Sequence, residues 1–403
     1  MQPTRLYLDT AKLGRLVPAA RRASECFARL AADEGGSPFF DAFLTAGAGD
    51  WSPVDRERYP GLAGWRGVAG LKDSLRRLTG VRSDLPVLIA HRSAQLMTLT
   101  ARLMFGPCRN VLVTDLGWPG WHDILTETAK RRERRVTMVA VRDGVLRHGW
   151  DEDEVVGVIR ECYRQSGCDG LFLSAVSNLG ARLPVDRITR EVTAVREPWF
   201  VAVDGSQELN HLPTDLGGEH CDLYLAGCHK WLGAVHPLAL AVYGRAKSRE
   251  MIDTRLATLT EEGVIDDPLL RLTMRLESGR PDSQAETVAL LPLFTAHGAV
   301  EDATTCPVVE PADPSEVADL AADVGWLPLL PQQSLRSSIL LLQAKDANVR
   351  AAPPVRVREH FGRYGVALTA YEGGGVRLSL PPEGFIAEGR KLLRASLKSA
   401  DSC

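Results

Sequence analysis

The 403-residue chain lacks three features that would each direct it to a special class: paired cysteines, long apolar runs and a charge imbalance. Its eight cysteines stand apart at positions 26, 108, 162, 168, 221, 228, 306 and 403, with no C-x-x-C pair and no zinc-like spacing. That pattern argues against a small disulfide scaffold and suits reduced thiols in the cytoplasm. No uninterrupted apolar stretch approaches the length of a membrane span. The opening Met-Gln-Pro-Thr-Arg-Leu-Tyr-Leu-Asp lacks the charged-then-apolar order of a signal peptide. A formal net charge of −3 gives no reason to expect nucleic acid or an anionic membrane as partner. There is no internal repeat and no low-complexity tract. What remains is an ordinary globular composition, 45% hydrophobic and 25% charged, with length for two domains.

What is present is alternation. Apolar runs at 87–90, 110–115, 135–141, 170–176, 199–203, 222–226 and 238–243 read as strands. Helical spacing marks 65–78, 94–105, 122–132, 151–166 and 185–195 between them. Continuous apolar strands alternating with helices predict an α/β fold whose mostly parallel sheet is covered on both faces. Residues 1–60 read as an N-terminal segment packing on a smaller domain, with a helix at 18–33 and loop with short helix from 35 to 60. The large domain is expected over 61–266. An interdomain helix (284–302) and a small C-terminal α+β domain are expected within 267–403, with 271–279 approaching a loop.

The most informative residues lie at two strand ends. Asp204 closes Phe200-Val-Ala-Val-Asp204, and Lys230 follows the nearly uncharged Asp222-Leu-Tyr-Leu-Ala-Gly-Cys-His229. A lone lysine is usually a solvated surface residue, and a strand-end aspartate usually caps a turn. Together they offer what pyridoxal phosphate requires: an amine to form a Schiff base with its aldehyde, and a carboxylate to keep its pyridine nitrogen protonated. Burial would lower the lysine's pKa and leave a neutral amine.

Asp204-Gly-Ser-Gln207 followed by His229-Lys230-Trp-Leu-Gly233 resembles the class V aminotransferase family of fold-type I pyridoxal phosphate enzymes. Their pattern runs roughly D-x-x-Q, a short strand, then H-K-x-x-G. The resemblance extends from Leu6-Tyr-Leu-Asp to Arg377-Leu-Ser and implies a large cofactor domain with a small C-terminal one. It implies that Lys230 is catalytic, that His229 lies beside the cofactor, and that Gln207 contacts the cofactor's phenolic oxygen. Ser93 and Ala94, where the family has its glycine-threonine turn, would hold the phosphate at a helix N-terminus. Ser93 as a plain N-cap is the alternative. Trp118, in Trp118-Pro-Gly-Trp121-His122, resembles the ring that stacks on the cofactor in kynureninases; either tryptophan could instead be core filling, and His122 is a weaker candidate. Asn178 would contact the cofactor or the substrate carboxylate, and Arg377, from the family's R-x-S element, would bind that carboxylate.

Two departures matter. Arg280 stands where the family often carries a threonine that reaches the partner subunit's cofactor phosphate, and Gly227 replaces a hydroxyl residue. The implied phosphate site is therefore rebuilt, with Arg92 or Arg280 supplying charge. The family usually forms homodimers with each active site at the interface. Gly365 to Gly375 carries no cysteine, which sets the chain apart from the cysteine desulfurases; Tyr371 and Glu372 there either line the pocket or end a strand. An aminotransferase acting on a small amino or 2-oxo acid is the expectation. A lyase cleaving at the β-carbon or an epimerase is the alternative, and a cofactor-dependent regulatory module lacks a basic DNA-binding domain.

Overall fold

A computed structural model describes residues 6–35, 40–277, 288–306, 312–381 and 387–400. Strands β2 (Val87–Ala90), β3 (Asn110–Thr114), β4 (Arg135–Val139), β5 (Gly170–Ser174), β6 (Phe200–Asp204), β7 (Leu223–Gly227) and β8 (Ala239–Tyr243) form one seven-stranded sheet. Its order is β2-β8-β7-β6-β5-β3-β4. Strand β8 runs antiparallel to both neighbours, and the other six run in one direction. Every residue of β3, β5, β6, β7 and β8 is buried, which is why these segments read as unbroken apolar runs. The C-terminal ends of β3, β5, β6 and β7 open on one side, where a sheet of this kind gathers its ligands.

A second sheet, ordered β12-β13-β10-β9, belongs to the C-terminal part. It contains β9 (Trp326–Leu329), β10 (Ile339–Ala344), β12 (Thr369–Tyr371) and β13 (Gly375–Ser379). Its own buried cluster includes Leu340, Leu342, Phe361, Val376 and Leu378. The short β1 (Leu6–Tyr7) pairs in parallel with β11 (Val366–Ala367), so the first described residues lie against the C-terminal part. The helix Pro18–Asp33 packs along the helix Leu291–Thr305.

The α/β expectation holds, and the differences have physical reasons. Pro268–Glu277 is helical where an approach to a loop was expected. Pro268 suits a first turn, and Asp267 Oδ1 caps it by accepting from Leu270 N at 2.8 Å. Arg249–Glu261, unassigned in the sequence, is a helix that buries only Ile252, Leu256 and Leu259. Strand β9 also escaped notice because Pro328 interrupts it; as the edge of its sheet it tolerates a missing N–H. The expected helix 284–302 forms from Leu291 to Thr305; residues 288–290 precede it without helical structure, and 284–287 lie outside the described part.

Candidate active site

The loops after β3, β5, β6 and β7, together with strands β12 and β13, enclose a cavity of about 410 Å³. Lys230, Asp204, Gln207, His229, Ser93, Trp118, Asn178 and Arg377 all line it. Residues far apart in the sequence thus meet because parallel strands deliver their C-terminal ends to one place. Ala94, the second residue of the helix Ser93–Met104, does not line it, nor do Arg92, His122 or Glu372. Arg280 lies outside the described residues. Tyr371 does line the cavity, opposite Gly375 in the small sheet.

Lys230 is half-buried three residues beyond the end of β7. Burial lowers its pKa to about 8; the Asp204 carboxylate opposes that shift and the Arg377 guanidinium adds to it. A substantial share of neutral amine at physiological pH follows. His229 is held down to about 4, chiefly by burial and then by Lys230, so its ring is neutral. Its Nδ1 is buried without a partner among the described residues. A Cβ on Gly227 would stand 2.8–2.9 Å from the His229 ring and 3.2 Å from the Ser93 hydroxyl. Glycine there lets both side chains close over the end of β7, a physical reason for the absent hydroxyl residue.

Asp204 is 6% exposed. Its Oδ1 accepts from Ser206 N at 3.0 Å and its Oδ2 from the Trp121 indole N–H at 2.8 Å. Trp121 therefore reaches the key carboxylate, while Trp118, 48% exposed, stands at the cavity wall. Gln207 is fixed from both sides: its Nε2 donates to Ala11 O and its Oε1 accepts from Trp231 Nε1, each at 2.8 Å. One amide proton remains for a ligand.

Arg377 lies directly opposite Thr369 in the β12–β13 pair and is only 3% exposed. It donates through Nη1 to Asn178 O at 3.3 Å and through Nη2 to Thr369 Oγ1 at 3.2 Å. Asp9 Oδ1 lies 3.5 Å from the guanidinium and is itself held by the Thr369 hydroxyl. Its Nε is buried without a partner among the described residues. A buried guanidinium with spare donor capacity, lining a cavity, is suited to an anionic group.

Sequence reasoning missed Lys12, Thr369, Ser174 and Ser206 in the lining and Asp9 behind it. No local pattern announces them. The N-terminal segment arrives from the small domain: Ser379 N donates to Leu8 O, Ala11 N to Ser379 Oγ, and Gly14 N to His229 O. Ordinary-looking residues 9–14 become a wall of the site only through that crossing.

Residues 67–237 match the family described as aminotransferase class-V. No curated protein matches the sequence. Among solved structures, an alanine–glyoxylate aminotransferase from Nostoc sp. superposes with a TM-score of 0.67 at 15% identity, over 99% of this chain and 96% of that one. A subgroup IV aspartate aminotransferase from Thermus thermophilus gives 0.64 at 16% identity, over 98% and 99%. A cysteine desulfurase from Thermococcus onnurineus gives 0.68 at 9% identity, over 98% and 94%. At these identities the superpositions speak for the fold.

Proposed function

We propose that the protein, whose residues 67–237 match the class V aminotransferase family, is a pyridoxal-phosphate-dependent enzyme that moves an amino group between an α-amino acid and a 2-oxo acid. The observation that carries the proposal is one cavity holding a lysine of depressed pKa, a buried carboxylate and a buried arginine with a free donor. The residues fit the cofactor. Lys230 would take its aldehyde carbon, Asp204 the proton on its ring nitrogen, and Ser93 its phosphate, helped by the free N–H groups of the helix Ser93–Met104. Gln207 and His229 complete the polar surround, and Trp118 the wall. When bound, the group supplies an electron sink for the bonds at the substrate's α-carbon.

The chain's own residues then have separate tasks. Arg377 binds the substrate carboxylate, held in aim by Thr369, Asp9 and the Asn178 carbonyl. Lys230, once released as a neutral amine, carries a proton to and from the substrate α-carbon. Transfer of an amino group needs no further nucleophile. Among the described residues no cysteine lines the cavity.

The active unit we propose is a homodimer: Trp118 leaves half its surface open at the cavity wall, where a second subunit would cover it. Sedimentation of the cofactor-loaded protein tests that reading. A cytoplasmic setting suits seven described cysteines that are all unpaired. Among the described residues no helix is long and apolar enough to cross a membrane.

The test of function is the visible spectrum of protein loaded with pyridoxal phosphate, recorded before and after single amino acids are added. Bleaching to the aminated cofactor with release of a 2-oxo acid, absent in Lys230→Ala, is the expected result. Ammonia or a cleaved side chain, with the band restored, would make the protein a lyase; loss of optical activity alone would make it an epimerase.

A further inference from the structure

We propose that Trp121 is a positioning residue for the cofactor: its indole N–H fixes the Asp204 carboxylate plane so that a lone pair stays aimed at the ring nitrogen. This inference rests on the cofactor reading above.

The argument starts from the torsion that needs control. The χ2 angle of an aspartate turns about an sp³–sp² bond and has a broad, shallow preference. Asp204 sits at the last position of β6, where the backbone is fixed by pairing to β5 and β7 but the carboxylate is not. One oxygen accepts from Ser206 N at 3.0 Å, a local contact two residues along that holds one edge. The other accepts from Trp121 Nε1 at 2.8 Å, a contact between distant parts of the chain. Two donors on opposite oxygens define a plane where one would leave a hinge.

The kind of donor matters as well as its place. Both donors are neutral, so the carboxylate keeps its whole negative charge for the ring nitrogen, whereas an arginine or lysine at the same distance would neutralise much of it. Each oxygen also retains acceptor capacity. The donor is rigidly mounted. Pro119 occupies the first turn of the helix Pro119–Arg131, Trp121 N donates to Trp118 O at 2.9 Å, and the rigid indole carries its N–H at a fixed place. Trp118 and Trp121 thereby divide the work of this turn, one at the wall and one on the acid.

The experiment compares Trp121→Phe, Trp121→His and the parent for pyridoxal phosphate affinity, for the wavelength of the visible band, and for melting of the cofactor-free protein. Trp121→Phe keeps a ring and removes the donor, and an affinity loss of about five- to twentyfold with a shifted band is expected. Trp121→His restores a ring N–H and should recover much of the loss. In an Asp204→Ala background, Trp121→Phe should add nothing, because the effect acts through that carboxylate. Parent-like affinity and band in Trp121→Phe would overturn the proposal, as would an equal loss in the Asp204→Ala background. Should Trp121→Phe fail to fold, Trp121→Met, which also lacks a donor, takes its place against Trp121→His and the parent, with and without Asp204→Ala. A parent that binds no cofactor and shows no band would instead refute the cofactor reading itself.

Discussion

The imidazole of His211 and the indole of Trp231 lie face to face, with centroids 3.6 Å apart and planes 7° from parallel. Ser338 N donates to His211 Nε2 at 3.2 Å, and His211 Nδ1 lies 2.7 Å from Gln207 O. Burial holds His211 to about 4, so it is neutral, and the Ser338 contact places its one proton on Nδ1, donating to Gln207. Trp231, next to Lys230, donates in turn to Gln207 Oε1. The small domain, the glutamine and the lysine loop are thus joined through two stacked rings.

Trp231→Phe keeps the stack and loses one hydrogen bond. We expect a stability loss of about 1 kcal/mol and weaker cofactor binding as Gln207 turns. Trp231→Ala also loses the ring and should cost about 3 kcal/mol. Urea unfolding of the two variants checks this, and equal losses would show that the stack contributes nothing.

The depressed pKa of Lys230 sets a pH profile. Burial disfavours the ammonium, so the amine is mostly neutral above about 8 rather than above 10.5. Only the neutral amine attacks an aldehyde. The rate at which cofactor-free protein develops its visible band should rise about tenfold per pH unit below 8 and level off above it. A rate still climbing toward pH 10 would show that Lys230 is solvated.

How much of this was legible beforehand differs from residue to residue. Asp204 and Lys230 stand out because each is an ionic residue at the end of an apolar strand, and the parallel sheet brings such ends together. Arg377 needed the family pattern, because an arginine in a C-terminal strand reads equally well as surface. Asp9, Lys12 and Thr369 were invisible: they depend on an N-terminal segment crossing to the lysine loop, a contact with no local signature. Trp118 and Trp121 sit three residues apart at a helix entry, and nothing in the sequence says which indole faces β6.

That crossing is fixed by Gly14. An added Cβ would lie 1.8 Å from the Lys230 carbonyl oxygen and 2.9 Å from its carbon, both backbone atoms. No side chain can yield to relieve the overlap, so Gly14→Ala must lift the segment or shift the lysine loop. A cost of about 3 kcal/mol is expected, together with loss of cofactor binding. Limited proteolysis near residues 10–17 should become faster; a variant with parent-like cleavage and affinity would show that the segment is not docked as described.

A last prediction concerns Glu208, beside Gln207 but facing a different cavity, with Arg182, Thr214 and His220. Burial raises its pKa from the ordinary 4.5 to about 7, against the Tyr224 phenol and Arg182, which lower it; Asp204 adds to the rise. Because the folded value is above the unfolded one, the native protein binds the extra proton. The stability it contributes is fully present below about 4.5 and is lost as pH rises through 7. Glu208→Gln keeps the shape and removes the titration. At pH 8 the variant should therefore be more stable than the parent by about 1–3 kcal/mol, from a shift of this size. At pH 4.5 the difference should vanish. Urea unfolding at both pH values decides: a difference that does not change with pH would mean the carboxyl is solvated in the folded protein.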